Sequence, residues 1–161
     1  MSHAKGQRFR FMGKLHFQLV TPEKMVLDED LDSLSCPTSL GQITILPGHV
    51  PLVANLVPGE LIARSGKDER NLSVSGGFVE IRPNDQIVVL ADEAEHYYEI
   101  DIQKAEEAKK RAQKAMDEAK MYSEEYAAAA AALEKSLIRL NIARKHAHRK
   151  SPITGEGVLS E

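Results

Sequence analysis

The chain has a single cysteine, Cys36, in 161 residues. It can therefore close no disulfide within itself, and a reducing compartment is the default for such a sequence. No apolar run approaches the roughly 20 residues that a bilayer-crossing helix needs. There is no P-loop, no His/Cys spacing suited to a metal and no nucleophile elbow, which makes an enzyme the weakest reading. The first fourteen residues carry Lys5, Arg8, Arg10 and Lys14 without an acid. They also lack the apolar block of a secretory signal, so residues 1–13 read as a loose extension. The most informative shortage is of glycine and proline. Neither occurs between Pro83 and Pro152, whereas thirteen of the seventeen lie from Gly13 to Pro83. Gly and Pro mark tight turns and are excluded from uninterrupted helices, so a frequently turning β module precedes long helices.

What is present agrees with that division. Leu15, Phe17 and Leu19 alternate with Lys14, His16 and Gln18, the two-residue period of a half-buried strand, and Pro22 ends it. A second long segment runs to Cys36, which reads as strand packing. Further apolar stretches lie at 43–46, 52–57, 61–63, 72–74, 78–81 and 87–91, each bounded by turn signals. Short strands at such spacing indicate a sandwich or barrel. Gly76-Gly77 stands between two strands and opens no helix, which points to a bulge or a close backbone approach and not to a phosphate cradle. A β module of this size buries only a modest core, so it is suited to leaning on a partner.

In the second half Ala105, Ala108, Ala112, Ala115 and Ala119 recur in steps of three and four along one side of a helix. A second helix is expected from Ser123, with Glu124 and Glu125 at the positive end of its dipole and a stripe of Tyr126, Ala130, Leu133, Leu137 and Leu140. The polar stretch 121–125 is the expected bend of an antiparallel hairpin. An alanine seam gains about a third of what a leucine seam would. Such a hairpin lies within a few kcal/mol of an open form, the range in which a ligand or partner shifts the population. The fold class is thus α+β, an N-terminal antiparallel β-sandwich followed by a C-terminal antiparallel two-helix hairpin. The expected units are residues 14–95 for the sandwich, 96–150 for the hairpin and 151–161 for a disordered tail.

Charge separates along the same line. The formal net charge is -3, yet from Lys14 to Ile100 six basic residues stand against fourteen acidic ones. From Lys135 to Lys150 six basic residues face no acid. That segment is either a solvated helical face or a surface seeking negative charge. Nucleic acid is a poor candidate, because the sandwich is acidic and no aromatic residues interleave the basic ones for stacking.

The run Gln42-Ile43-Thr44-Ile45-Leu46-Pro47-Gly48-His49-Val50-Pro51-Leu52, followed by Val57-Pro58-Gly59-Glu60-Leu61, closely resembles the epsilon subunit of bacterial F-type ATP synthases. Ser75-Gly76-Gly77-Phe78-Val79-Glu80, Val88-Val89-Leu90-Ala91-Asp92 and Ile100-Asp101 follow in the family's order, so the resemblance covers about residues 14–147. It implies a noncatalytic part of the central stalk, in which the sandwich binds the gamma subunit and the c-subunit ring at the cytoplasmic face of the bacterial inner membrane. It also implies a hairpin that either lies beside the sandwich or extends toward the catalytic beta subunit and hinders ATP hydrolysis. On that picture the basic helix, with Lys135, Arg139, Arg144 and Lys145, meets beta, while Gln42 and His49 lie toward the ring and gamma. Two departures bear on the ring contact: many relatives have a small or acidic residue at the position of Gln42 and glycine at that of Thr44.

Some members of the family bind ATP on the folded hairpin through an Ile/Leu-Asp-x-x-Arg-Ala motif. The matching segment here is Ile100-Asp101-Ile102-Gln103-Lys104-Ala105. Carried across by position, the candidates are Glu95, Asp101, Lys104, Ala105, Arg111, Lys135 and Arg139, with lysine in place of arginine at 104 and at 135. Lysine keeps the charge but loses the planar fork that grips phosphate in two places, which points to a weak regulatory ATP site with no required cofactor. Asp101 has an alternative reading as a helix N-cap. Outside this family the rival is a coiled-coil adaptor or holdase, for which a tip bearing only Met121 and Tyr122 as sizeable apolar groups is poorly equipped.

Overall fold

The computed structural model describes residues 13–147. In chain order the strands are β1 (Leu15–Val20), β2 (Met25–Leu31), β3 (Ser33–Thr38), β4 (Gly41–Ile45), β5 (Leu52–Asn55), β6 (Gly59–Ser65), β7 (Asp68–Val74), β8 (Gly77–Arg82), β9 (Gln86–Ala91) and β10 (Ala94–His96). A 3-10 turn at Tyr97–Glu99 leads into α1 (Ile102–Glu118) and α2 (Glu124–His146). The strands form two five-stranded sheets, ordered β2-β1-β9-β8-β5 and β10-β7-β6-β3-β4.

The alternation in β1 does what its period requires. Leu15, Phe17 and Leu19 are buried to 1% or less and meet Leu34, Leu61 and Leu72 of the other sheet in one core. Cys36 is fully buried on β3, and burial pushes its thiol up to about 12. Gly76 and Gly77 mark a close approach: both have positive φ, and a Cβ on Gly77 would stand 2.0 Å from the Leu90 carbonyl oxygen. No other residue type fits there.

Three features depart from the sequence expectations. The segment running to Cys36 is two strands, β2 and β3, in different sheets, separated at Asp32. Asp32 pins that crossover by accepting from the Gly66 amide at 2.6 Å and pairing with Lys14. The pairing is antiparallel except that β1 runs parallel to β9. Strands so far apart in the chain share no turn that could announce the pairing. Strand β10 carries no apolar signal and is held by its pairing with β7.

The helices begin where caps were expected. Asp101 accepts from the Lys104 amide at 3.0 Å and Ser123 from the Tyr126 amide at 3.1 Å. The bend is shifted, because α1 stops at Glu118 and α2 starts at Glu124, leaving 119–123 to turn the chain. Tyr122, at φ 66°, occupies the left-handed conformation usually given to glycine. The expected stripe on α2 is also corrected. Of its five residues only Leu140 is buried, and Leu137 is 45% exposed. The buried set is Ala129, Ser136, Leu140, Ile142, Ala143 and His146. It is broader than one stripe because α2 meets two neighbours, α1 on one side and the second sheet on another. On α1, Ala105 and Ala112 are buried, Ala108 and Ala119 are half-buried and Ala115 is exposed, so the seam closes near the sandwich and opens toward the tip.

Candidate functional site: the hairpin docking face

The alternation of β6 and β7 places apolar residues inward and leaves Glu60, Asn71 and Ser73 on the outer face of the second sheet. Yet Asn71 is 1% and Ser73 7% exposed, since α2 packs over them. Three ion pairs and one histidine–carboxylate hydrogen bond join α2 to this acidic surface. Lys135 pairs with Glu93, just before β10. Arg139 forms a two-pronged contact with Glu95, its Nε and Nη2 donating to the two carboxylate oxygens at 3.0 and 3.2 Å. Lys145 Nζ donates to Glu60 Oε2 at 2.8 Å, and His146 Nε2 donates to Glu60 Oε1 at 2.5 Å. Asn71 Nδ2 donates to the same Glu60 oxygen at 3.0 Å. Arg144 turns the other way and pairs with Glu106 of α1.

Glu60 is the most enclosed of these carboxylates. Burial pushes it toward the neutral form, but hydrogen bonds from Lys145 and His146 outweigh that and hold it below the ordinary carboxylate range. The apolar part of the contact is small: Ile100, Ile142 and Ala143 are buried together, with Tyr97 and Ile138 packed against them. The Tyr97 ring lies 5.2 Å from that of His146. The docking face is therefore largely polar, and in this conformation the basic segment finds its negative surface within its own chain.

A second feature adjoins it. The open part of the alanine seam forms a groove of about 470 Å³ lined by Ala108, Ala112, Ala115, Ala128, Ala129 and Ala132, with Arg111, Lys135 and Arg139 at its rim. Three of the nucleotide candidates thus come together, and Glu95 joins them through Arg139. The other three do not line the groove. Asp101 caps α1, Lys104 is exposed beside it, and Ala105 is wholly buried.

Gln42 and His49 belong to another part of the molecule. Gln42 is exposed on β4, at the edge of the second sheet opposite β10. His49 sits in the turn after β4, where its ring donates to the Val50 carbonyl at 2.7 Å. That turn is tied down by the Gly48 amide, which donates to Asp85 at 2.6 Å. The outer face of the first sheet carries a cross-strand apolar row, Met25, Val20, Leu90 and Phe78, set by the registers of β2, β1, β9 and β8. Met25 is 53%, Phe78 40% and Leu90 39% exposed, and Val53 on the neighbouring β5 is 65% exposed. Among the described residues, Glu60, Glu93, Asn71 and His146 were not singled out by sequence. The only signal that pointed to them was the opposition of an acidic sandwich to a basic helix.

Comparison with known proteins gives the same two-part division. Residues 14–97 match the model of the ATP synthase delta/epsilon chain β-sandwich domain, and residues 99–144 match that of the delta/epsilon chain long α-helix domain. The ATP synthase epsilon chain of Dehalococcoides mccartyi is 45% identical over 141 residues, covering 88% of this chain and 99% of that protein. The epsilon chain of Halalkalibacterium halodurans is 40% identical over 132 residues, covering 82% and 98%. Among solved structures, a chain of the Euglena gracilis mitochondrial ATP synthase superposes with a TM-score of 0.70 at 22% identity, covering 83% of this chain and 81% of that one. A chain from the Tetrahymena thermophila mitochondrial ATP synthase central stalk and c-ring superposes at 0.53 with 15% identity, covering 81% and 97%.

Proposed function

Because the chain belongs to the ATP synthase delta/epsilon family, we propose that it is a noncatalytic subunit of the central stalk whose sandwich docks and whose hairpin moves. The sandwich binds gamma through the apolar row on the first sheet, where Phe78, Leu90 and Val53 form an exposed patch of the kind that marks a protein interface. The end of the sandwich with Gln42 and His49 faces the c ring. The subunit lies on the cytoplasmic face of a bacterial inner membrane, peripheral to it, and no helix among the described residues is long and apolar enough to cross.

The observation that carries the moving hairpin is the polarity of the face it covers. At the junction buried Ile100 and Ile142 gain roughly 1.5–3 kcal/mol each and the Ala143 methyl about 0.8 kcal/mol, before the cost of ordering the groups is set against it. The rest is ion pairing, mostly of partly exposed groups and worth little net because water replaces it readily, with only the Glu60–His146 contact well enclosed. When α2 leaves, Asn71, Ser73, Glu60 and Glu95 become hydrated without leaving a bare hydrophobic surface. The freed Lys135, Arg139, Arg144 and Lys145 then become available to an acidic region of the catalytic beta subunit. The extended hairpin brakes ATP hydrolysis there.

ATP, as a weak regulatory ligand, would enter the groove at Arg111, Lys135 and Arg139. Lys135 and Arg139 already hold Glu93 and Glu95, so a nucleotide phosphate must compete with them. Deleting residues 101–150 tests the whole reading. The truncated subunit should still copurify with gamma and the c ring, and the complex should hydrolyse ATP faster. Unchanged hydrolysis removes the brake, and failure to copurify with gamma removes the docking role.

A further inference from the structure

One long stretch of the chain lacks charged side chains altogether. From Ser33 to Gly59 there is no Asp, Glu, Lys or Arg, although 28% of the whole sequence is charged. The stretch builds β3, β4 and β5, and β4 and β5 are the end strands of the two sheets on one side of the sandwich. The Thr38–Leu56 bridge ties the sheets together there, with the Ser39 amide donating to the Asn55 carbonyl at 3.0 Å and the Val57 amide to the Pro37 carbonyl at 3.1 Å. Leu40, Leu46, Val50 and Val53 belong to the same stretch, each half or more exposed. The other two end strands are guarded: β2 carries Asp28, Glu29 and Asp30, and Glu95 of β10 is held by Arg139 of α2. Charge on an end strand keeps other chains from pairing with it, and β5 has none.

The backbone of β5 is open on that side. The strand runs antiparallel to β8, with Leu52 opposite Ile81 and Asn55 opposite Phe78. The Leu56 amide donates to the Gly77 carbonyl at 2.9 Å, which sets the phase of the ladder. Leu52, Ala54 and Leu56 therefore direct their amides and carbonyls to β8, and Val53 and Asn55 direct theirs away. Ser39 takes the Asn55 carbonyl, whereas the Val53 amide, the Val53 carbonyl and the Asn55 amide have no partner among the described residues. Exposed apolar side chains alone are ordinary on a surface, but beside unpaired strand backbone they fit the addition of another strand. We propose that β5 receives an extended segment of a partner chain as a sixth strand of the first sheet, apolar and uncharged where it passes Val53 and Asn55. Because Asn55 stands opposite Phe78, the added strand continues the exposed apolar row of that sheet. The partner is then the one that the row binds, gamma on the reading above, and the inference rests on that reading.

The test is amide hydrogen exchange on the full-length chain, free and in complex with gamma. In the free chain the Val53 and Asn55 amides should exchange quickly while that of Ala54, bonded within the sheet, is slow. In the complex both should slow by about a hundredfold or more, as amides of a paired strand do. Val53→Pro removes the outward amide but no bond to β8, a substitution that end strands tolerate, and it should weaken binding to gamma by about tenfold or more. Val53→Ile keeps the amide and the apolar branched shape and should change binding by less than about threefold. Amides that exchange as fast in the complex as in the free chain overturn the inference, and so does a Val53→Pro chain that binds gamma like the unmodified one. If Val53→Pro disturbs the sandwich, the exchange rates of the unmodified chain decide alone. Protection that grows in the free chain with its concentration, together with a doubled mass, gives the strand to a second copy and also overturns it. Failure to copurify with gamma removes the docking reading along with this inference, whereas copurification without protection removes this inference alone.

Discussion

At the scale of single residues, several positions are fixed by geometry that their side chains alone do not reveal. Gly77 must be glycine because a carbonyl oxygen occupies the space of its Cβ. Tyr122 is the converse case. It is 94% exposed and makes the left-handed turn between the helices at a conformational cost that glycine does not bear. Tyr122→Gly should therefore stabilise the hairpin by about 1 kcal/mol, visible as a higher unfolding midpoint in urea with an unchanged slope. A lower midpoint would mean that the tyrosine contributes something its exposure does not suggest. The caps at Asp101 and Ser123 were legible because an N-cap is a local matter, an oxygen placed to accept from an amide three residues on. The left-handed Tyr122 was not, since a polar bend without glycine gives no sign of which residue will bear the turn.

At the scale of elements, α2 answers to two surfaces, and its alanines serve both. Small side chains let it approach α1 closely, and the same choice leaves the seam open toward the tip, with Arg111, Lys135 and Arg139 at the rim. If ATP uses this groove, titrating it into the isolated chain should release heat at submillimolar to millimolar nucleotide. Arg139→Ala should weaken that binding about tenfold or more, because a charge-assisted phosphate contact is worth roughly 1.5–3 kcal/mol. A flat trace at millimolar ATP would remove the sensor role. The candidates divided here for a physical reason. Residues on α1 and α2 that face one another can share a ligand, whereas Asp101 and Ala105 are already committed to starting and packing α1. Positional transfer from a motif lists residue types in order and does not say which side of the helix each one occupies.

At the scale of the whole molecule, a sandwich held by an apolar core carries a hairpin held largely by charge. The two should part company under conditions that cancel charge. Glu60 is held below the ordinary carboxylate range when docked. Its contribution is therefore complete above the value it has when free and is lost as the pH falls through its lowered docked value. Acidification below about pH 4, where free glutamate is protonated, should release the hairpin while the strands persist. Donor and acceptor dyes placed at Tyr122→Cys on the hairpin tip and Lys67→Cys on the sandwich, both exposed positions, should separate there with the β signature of the circular dichroism intact. Simultaneous loss of both would show that sandwich and hairpin form one cooperative unit.

The amino-acid order by itself determined the division into a turning β half and an unbroken helical half, the inward alternation of β1, the helix starts and the opposition of an acidic sandwich to a basic helix. Each of these is local, set by backbone freedom, by side-chain period or by charge counted along the chain. Only the tertiary structure decided that β1 lies parallel to β9, that the basic helix is docked on its own sandwich, and that Glu60 holds Lys145 and His146 together. Those contacts join residues as many as 86 positions apart. Nothing in a short stretch of sequence specifies them, because they arise from the packing of α2 against a sheet whose outer face is polar.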